Sequence, residues 1–219
     1  MKDVFFIKAI IFDFDGTIAD TLPVCFYAFQ SVFKKYDDRE VCIDEIKDMF
    51  GPSETGIIKK NLIHKDFKEA IELYYDEYNK KHSELVPINE EIDILLHCFK
   101  KKGFKLGIVT GKARRSLDIS LRFLKMEGLF DVIITGDDVE FPKPHPEGVN
   151  KALSQLVVKN SNAIFLGESD ADIKAGQDAN VYTIGVQWLP NYQTVEFKIQ
   201  PDKIFYKIDD LMHSYLITK

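Results

Sequence analysis

Hydrophobic and polar positions divide the chain into three successive patterns. Residues 4–12 are almost entirely apolar, with one break at Lys8, which is typical of a strand buried on both faces of a sheet. From about residue 21 to residue 86, apolar positions recur at helical spacing and no run of residues favours a strand. Beyond residue 86, short apolar runs alternate with helical patterns up to about residue 186. We therefore expect one strand, then a block of helices, then a series of strand and helix units.

The block of helices is interrupted by a stretch of small and polar residues at 51–56, which we interpret as either a linker or a functional loop. The first helix follows residue 21 and has Pro23 in its first turn. Three further helices are predicted over residues 43–50, 54–62 and 66–83. The last of them carries a connected stripe of apolar and aromatic residues, expected to pack between helices: Phe67, Ala70, Ile71, Tyr74, Tyr75 and Tyr78.

The third pattern favours a parallel sheet with helices on both faces, because strand and helix units follow one another repeatedly. Strands are predicted over residues 104–109, 132–134, 163–166 and 181–186. Helices are predicted over residues 89–101, 113–126, 146–157 and 170–179. The predicted fold class is α/β, with a Rossmann-like doubly wound parallel sheet as its core. Residues 1–20 and 87–219 form that core in this interpretation, and residues 21–86 form an inserted α-helical domain.

Composition and charge argue against two kinds of partner, nucleic acids and membranes. The net charge of −6 and the lack of a basic run argue against nucleic acid. No segment approaches the ~20 consecutive apolar residues of a membrane span, and the N-terminus does not have the pattern of a signal peptide. The three cysteines have neither zinc-ligand spacing nor a disulfide-rich pattern, so we expect a cytoplasmic protein.

Chemically active residues follow four of the predicted strands. Asp13 and Asp15 come directly after the first strand, and Gly16 then allows the chain to turn. The second strand ends at Thr110-Gly111, whose hydroxyl and backbone amide suit the oxygens of an anion. The other two strands are followed by Lys143 and by an acidic stretch at residues 168–172. Because the carboxyl ends of parallel strands meet at one edge of a sheet, these groups are expected to lie together.

Each of these features also has an ordinary structural interpretation. Asp13 and Asp15 suit a turn that leads into a helix, and Thr110 suits a helix cap. Lys143 resembles a solvated loop lysine, and the acids at residues 168–172 are typical of a helix start. Four such features at successive strand ends favour a functional site, with carboxylates able to hold a hard cation.

The same residues resemble the four motifs of the haloacid dehalogenase superfamily. Those motifs correspond in order and spacing to Asp13-Phe14-Asp15-Gly16-Thr17, Thr110-Gly111, Lys143 and the stretch at residues 167–172. The helical insertion is similar to the cap domain of the phosphoglycolate phosphatase-like branch, which also includes pyrophosphatases and β-phosphoglucomutases. The resemblance covers nearly the whole chain.

The resemblance implies phosphoryl transfer through an aspartyl-phosphate. Asp13 is then the nucleophile and Asp15 the general acid and base, while Thr110, Gly111 and Lys143 bind the phosphoryl oxygens. It also implies an Mg²⁺ ion held by Asp13, by the backbone carbonyl of Asp15 and by an acid of the fourth motif.

The fourth motif departs from the usual pattern, since Glu168 stands where an aspartate is common. The resemblance then implies that Glu168 binds the metal directly or through a water, with Asp172 as a further direct or indirect ligand. Asp15 favours phosphate esters over carbon–halogen bonds, because a halide leaving group needs no proton.

The expected activity is therefore hydrolysis of a small phosphorylated metabolite, such as phosphoglycolate or pyrophosphate, by a monomer or weak homodimer. A phosphosugar mutase and a non-catalytic phosphate-binding protein remain alternatives. The loop at residues 51–56 is a candidate specificity loop. Four basic residues are expected to be solvated helix charges rather than ligands: Lys47, Lys112, Arg114 and Arg115. Residues 188–190 are expected to serve packing.

Overall fold

The computed structural model describes residues 7–64 and 66–216, and it contains a six-stranded sheet in which every neighbouring pair is parallel. The order of the strands is β3-β2-β1-β4-β5-β6. Residues 4–6 of the predicted first strand lie outside the described residues. The strands are β1 (Ala9–Phe12), β2 (Lys105–Val109), β3 (Val132–Ile134), β4 (Ala163–Gly167), β5 (Tyr182–Val186) and β6 (Lys203–Phe205).

Helices cover both faces of the sheet. Alternate residues of β1 belong to two separate hydrophobic clusters, with Ile10 and Phe12 in one and Ala9 and Ile11 in the other. The helices are α1 (Leu22–Asp37), α2 (Ile43–Asp48), α3 (Glu54–Asn61), α4 (Phe67–Leu85), α5 (Glu90–Lys101), α6 (Arg114–Phe123), α7 (Glu147–Leu156), α8 (Asp170–Asp178) and α9 (Ile208–Leu216). The predicted α/β fold class is confirmed. No helix among the described residues is both long and apolar enough to cross a membrane.

Four helices, α1–α4, lie between β1 and α5, as predicted for the inserted segment. Tyr74 and Tyr78 of the predicted stripe are completely buried, which agrees with their interpretation as core residues. The segment is joined to the core through α6, where the hydroxyl groups of Tyr78 and Ser120 lie 2.7 Å apart. The assignment of residues 21–86 to a separate domain stays a prediction.

Among the strands and α-helices of the structure, two were absent from the sequence prediction, namely β6 and α9. The prediction also carried α6 to residue 126, whereas the helix ends at Phe123. Leu124 is its C-cap, and Lys125 then has a positive φ of 58°, which turns the chain out of the helix.

Candidate active site

Asp13 occupies the carboxyl end of the central strand. Phe12 is in register with Ile108 of β2 and Leu166 of β4, so Asp13 leaves the sheet between the ends of those two strands. Its backbone N–H donates to the carbonyl of Leu166 at 2.8 Å, and the residue is buried. Gly16 then adopts a φ of +75°, a conformation that glycine permits at little cost and that turns the chain towards α1.

Lys143 links two of the buried acids. Its Nζ donates to Asp13 Oδ1 at 2.6 Å and to Asp172 Oδ1 at 2.5 Å, and it lies 3.3 Å from the carbonyl oxygen of Val109. Burial lowers the pKa of Lys143, but the carboxylates of Asp13 and Asp172 outweigh burial and raise the pKa above its ordinary value. The ammonium group is therefore charged at neutral pH.

Three buried carboxylates form a group that fits a hard divalent cation. One oxygen each of Asp13, Glu168 and Asp172 lies within 4.8 Å of the other two. The second oxygen of Asp172, Oδ2, accepts hydrogen bonds from the N–H and hydroxyl of Ser169, at 3.0 and 2.7 Å, so that this side chain is fixed in the first turn of α8. Oxygen atoms of this kind are the ligands that Mg²⁺ prefers.

Asp13 and Glu168 have raised pKa values. Burial, opposed by Lys143 and reinforced by Asp172 and Asp15, raises the pKa of Asp13 to about 7. Burial together with the charges of Asp172 and Asp13 raises the pKa of Glu168 well above its ordinary value. A cation bound among these groups would favour their ionised forms.

Asp15 does not share this cluster through its side chain. Its Oδ1 accepts hydrogen bonds from the hydroxyl of Thr21 and from Lys112 Nζ, the latter at 3.0 Å. The sequence analysis assigned only the backbone carbonyl of Asp15 to the metal, and that assignment stays a prediction. Thr110, whose Oγ1 accepts from the N–H of Lys112 at 3.2 Å, lies at the end of β2 as expected.

A cavity of about 410 Å³ brings most of the predicted residues together. Asp13, Asp15, Thr110, Gly111 and Lys143 all line it from the core. The inserted segment closes the other side with residues of α1, of α3 and of the loop at residues 51–56: Leu22, Cys25, Phe29, Gly51, Pro52, Glu54 and Ile57. The loop at residues 51–56 therefore lines the cavity, and its role in specificity stays a prediction.

The sequence analysis interpreted Lys112 as a solvated helix charge, and that prediction is wrong. Its side chain has no solvent exposure, and its Nζ lies 3.4 Å from Glu54 Oε1 as well as 3.0 Å from Asp15. Glu54 in turn accepts hydrogen bonds from the N–H of Ala113 and the hydroxyl of Ser116 at the start of α6. A lysine of the core is thus held between an acid of the site and an acid of the inserted segment.

The other three basic residues are not buried as Lys112 is. Arg114 and Arg115 are partly exposed and pair with Asp138 and Glu72, respectively, which agrees with their interpretation as surface charges. Lys47 lines the cavity.

The loop between β5 and β6, at residues 187–200, was not predicted to reach the site. Gln193 donates two hydrogen bonds to Glu168, from its backbone N–H at 2.6 Å and from Nε2 at 2.8 Å. Asp170 accepts the N–H groups of Lys198 and Ile199, so it anchors this loop instead of joining the carboxylate cluster. Trp188 donates from Nε1 to the carbonyl of Thr17 at 2.8 Å, in agreement with a packing role. No local sequence pattern marks Gln193, because a glutamine in a polar loop is an ordinary surface residue.

Comparisons with known proteins confirm the predicted family and fold. Residues 10–186 match the family model described as haloacid dehalogenase-like hydrolase. The pyrophosphatase PpaX of Bacillus cereus is 33% identical to this chain over 206 residues, which cover 94% of this chain and 95% of that protein.

Two solved structures share the fold. A predicted phosphoglycolate phosphatase from Haemophilus somnus has a TM-score of 0.84 and 20% identity, covering 96% of this chain and 99% of that one. The β-phosphoglucomutase of Clostridium difficile has a TM-score of 0.79 and 22% identity, covering 96% of each chain.

Proposed function

Because the chain belongs to the haloacid dehalogenase-like hydrolase family, we propose that it is an Mg²⁺-dependent phosphatase acting on a small phosphorylated metabolite. One observation carries this proposal. Asp13 lines the cavity, while its carboxylate contacts Lys143 at 2.6 Å and lies within 4.8 Å of the carboxylates of Glu168 and Asp172. A carboxylate that attacks a phosphoryl group needs cations around it, and this arrangement provides one ammonium and a place for a metal.

In the first proposed step, an oxygen of Asp13 attacks the phosphorus atom opposite the leaving oxygen. The bond from Asp13 to phosphorus forms while the bond from phosphorus to the leaving group breaks, which gives an aspartyl-phosphate. Asp15 donates a proton to the leaving oxygen. Lys143, together with Thr110 and the N–H of Gly111, binds the phosphoryl oxygens as charge builds up on them.

In the second step, water hydrolyses the aspartyl-phosphate. Asp15, now ionised, accepts a proton from the water as the water oxygen attacks phosphorus, and Asp13 is released as a carboxylate. General acid and base catalysis of this kind contributes roughly 10²- to 10⁴-fold to the rate. Asp15 lines the same cavity as Asp13, as this dual role requires.

The metal would be held by Asp13, Glu168 and Asp172, with the backbone carbonyl of Asp15 as a further proposed ligand. When bound, Mg²⁺ supplies positive charge that offsets the repulsion between substrate and nucleophile. The raised pKa values of Asp13 and Glu168 support a cation at this position, because a positive charge there would favour the ionised forms of both acids.

The size of the cavity supports a small substrate, since about 410 Å³ lies near the lower end of the range for small-molecule sites. Phosphoglycolate-like monoesters and pyrophosphate are both proposed as substrates. We also propose a cytoplasmic monomer or weak homodimer without a nucleic-acid or membrane partner. Cys25, Cys42 and Cys98 are all free thiols, which supports a reducing compartment.

The test is Mg²⁺-dependent release of phosphate from a panel of phosphorylated metabolites and pyrophosphate. We expect Asp13→Asn to lower kcat by at least about 10³-fold, because the nucleophile is lost. Asp178→Asn is the matched control, since Asp178 pairs only with Lys174 on the exposed face of α8 among the described contacts.

A folded parent protein that releases no phosphate with either Mg²⁺ or Mn²⁺ would contradict the proposal. Sugar phosphates would then be tested for isomerisation, because a phosphomutase uses the same nucleophile and returns the phosphoryl group to a bound sugar. Phosphate binding without either reaction would identify a non-catalytic binding protein.

A further inference from the structure

The loop at residues 187–200 is fixed to the two elements that carry the acids of the site. Trp188 bonds to the turn after β1, as described above, and Asn191 Nδ2 lies 3.0 Å from both carboxylate oxygens of Asp20. At its other end, the loop is bonded to Asp170 at the start of α8. The position of Gln193, between these anchors, is therefore well defined relative to the carboxylate cluster.

Gln193 engages both oxygens of the Glu168 carboxylate. The backbone N–H donates to Oε2 at 2.6 Å, and Nε2 donates to Oε1 at 2.8 Å. Glu168 has no solvent exposure, so these bonds do not compete with bulk water. Each carboxylate oxygen has two lone pairs, so an oxygen that accepts one of these bonds can still bind a cation.

Gly16 confines the other side of the same side chain. A Cβ atom at Gly16 would lie 2.9 Å from Glu168 Cγ and 3.3 Å from the carbonyl oxygen of Asn191. The methylene groups of Glu168 thus pack against a glycine, while its carboxylate is held by the loop. The extra methylene of glutamate, compared with aspartate, is accommodated between these two features.

We propose that Gln193 is a positioning residue for metal binding, which holds the Glu168 carboxylate where it shares a cation with Asp13 and Asp172. This inference rests on the proposed Mg²⁺-dependent function. Mg²⁺ requires short bonds in near-octahedral geometry, and a glutamate has one more rotatable bond than an aspartate to fix. Residues that orient a metal ligand typically contribute 10- to 100-fold to metal affinity.

The test is the dissociation constant of Mg²⁺, and of Mn²⁺, measured by isothermal titration calorimetry without substrate. We expect Gln193→Ala and Gln193→Met to raise it about 10-fold or more, because both remove the Nε2 donor. The second variant keeps the length of the side chain, so it controls for a cavity or a folding defect. Gln200→Ala is the matched control, because its Nε2 bonds to the carbonyl of Phe197 in the same loop, and it should leave the constant unchanged.

A double-mutant cycle with Glu168→Asp shows whether Gln193 acts through Glu168. The carboxylate of an aspartate at position 168 is too short to reach the two donors of Gln193. In the Glu168→Asp variant, Gln193→Ala should therefore change the affinity for the metal less than about 2-fold. If Gln193→Ala weakened metal binding equally in the parent protein and in Glu168→Asp, the inference would be overturned. Unchanged metal affinity in Gln193→Ala and Gln193→Met would also overturn it. A parent protein that releases phosphate normally while these variants bind Mg²⁺ normally would refute this inference alone. A parent that binds neither metal would refute it together with the metal dependence of the proposed function.

Discussion

At the scale of single residues, Lys112 shows how much the site depends on buried charge. Burial lowers its pKa, but Asp15 and the other acidic groups around it raise that pKa well above its ordinary value, so the side chain stays charged. Lys112→Met would leave the carboxylates of Asp15 and Glu54 without their shared cation. We expect a loss of about 3 kcal/mol in the free energy of unfolding, because one partner of a buried ion pair is removed.

Urea denaturation measures this loss. The control is Lys101→Met at the exposed end of α5, where we expect a change within about 0.5 kcal/mol. A loss below about 1 kcal/mol in Lys112→Met would show that the two carboxylates do not need the ammonium group in the folded protein.

The sequence was enough to predict which strand-end residues lie together, because one rule of parallel sheets determines their position. Asp13, Thr110 and Lys143 each follow a strand, and parallel strands bring their carboxyl ends to one edge. Glu54 comes from the inserted segment and follows no strand of the sheet. Gln193 lies in the loop after β5, but a glutamine in a polar loop carries no sign of a role in a site. Lys112 lies at a strand end, but only the partners that Glu54 and Asp15 provide distinguish it from a solvated lysine.

At the scale of secondary-structure elements, the same contrast holds between the strands that carry an apolar run and β6. The strands β1 to β5 were predicted because each carries an apolar run, including the three-residue edge strand β3, in which Val132 and Ile134 are buried. The strand β6 has only three residues, of which Lys203 is exposed and Ile204 is half-buried, and it pairs with β5 alone. A strand with a single buried residue is defined by its partner rather than by its own pattern.

The contact between α4 and α6 predicts a dependence of stability on pH. His82 is buried against Phe123, with ring centroids 4.9 Å apart, and its Nε2 lies 3.0 Å from Ser120 Oγ. Burial, together with the nearby charge of Lys112, lowers the pKa of His82 from 6.5 to about 4. Between these values the unfolded chain binds a proton that the folded protein does not, so the free energy of unfolding falls as the pH falls.

His82→Gln should remove that component. We expect the loss of stability between pH 6.5 and pH 4 to be smaller in this variant than in the parent by about 2–3 kcal/mol. Urea denaturation across this range gives the difference, and His97→Gln, at an exposed position, should retain the parental slope. Parallel curves for the parent and His82→Gln would show that His82 becomes protonated in the folded state.

At the scale of the whole molecule, the inserted segment and the core share one hydrophobic cluster. Phe29 and Tyr74 of the segment belong to the same cluster as Leu117 of α6 and Phe12 of the sheet. Polar contacts cross the same boundary, among them the hydrogen bonds of Glu54 to the first turn of α6. A segment held in this way loses much of its buried surface if the core unfolds, so the two parts stabilise one another.

We therefore predict that the chain unfolds in a single transition, even if residues 21–86 form a separate structural domain. Trp188 is the only tryptophan of the sequence and lies outside the inserted segment, in the α/β part of the chain. Its fluorescence therefore reports the unfolding of that part. Far-UV circular dichroism includes α1–α4 and therefore also follows the segment. Coincident urea curves from the two signals are expected for one cooperative unit. Loss of helical signal at lower urea than the change in fluorescence would instead mean that the segment opens while the sheet and its carboxylates remain folded, and that the cavity is then lined by the core alone.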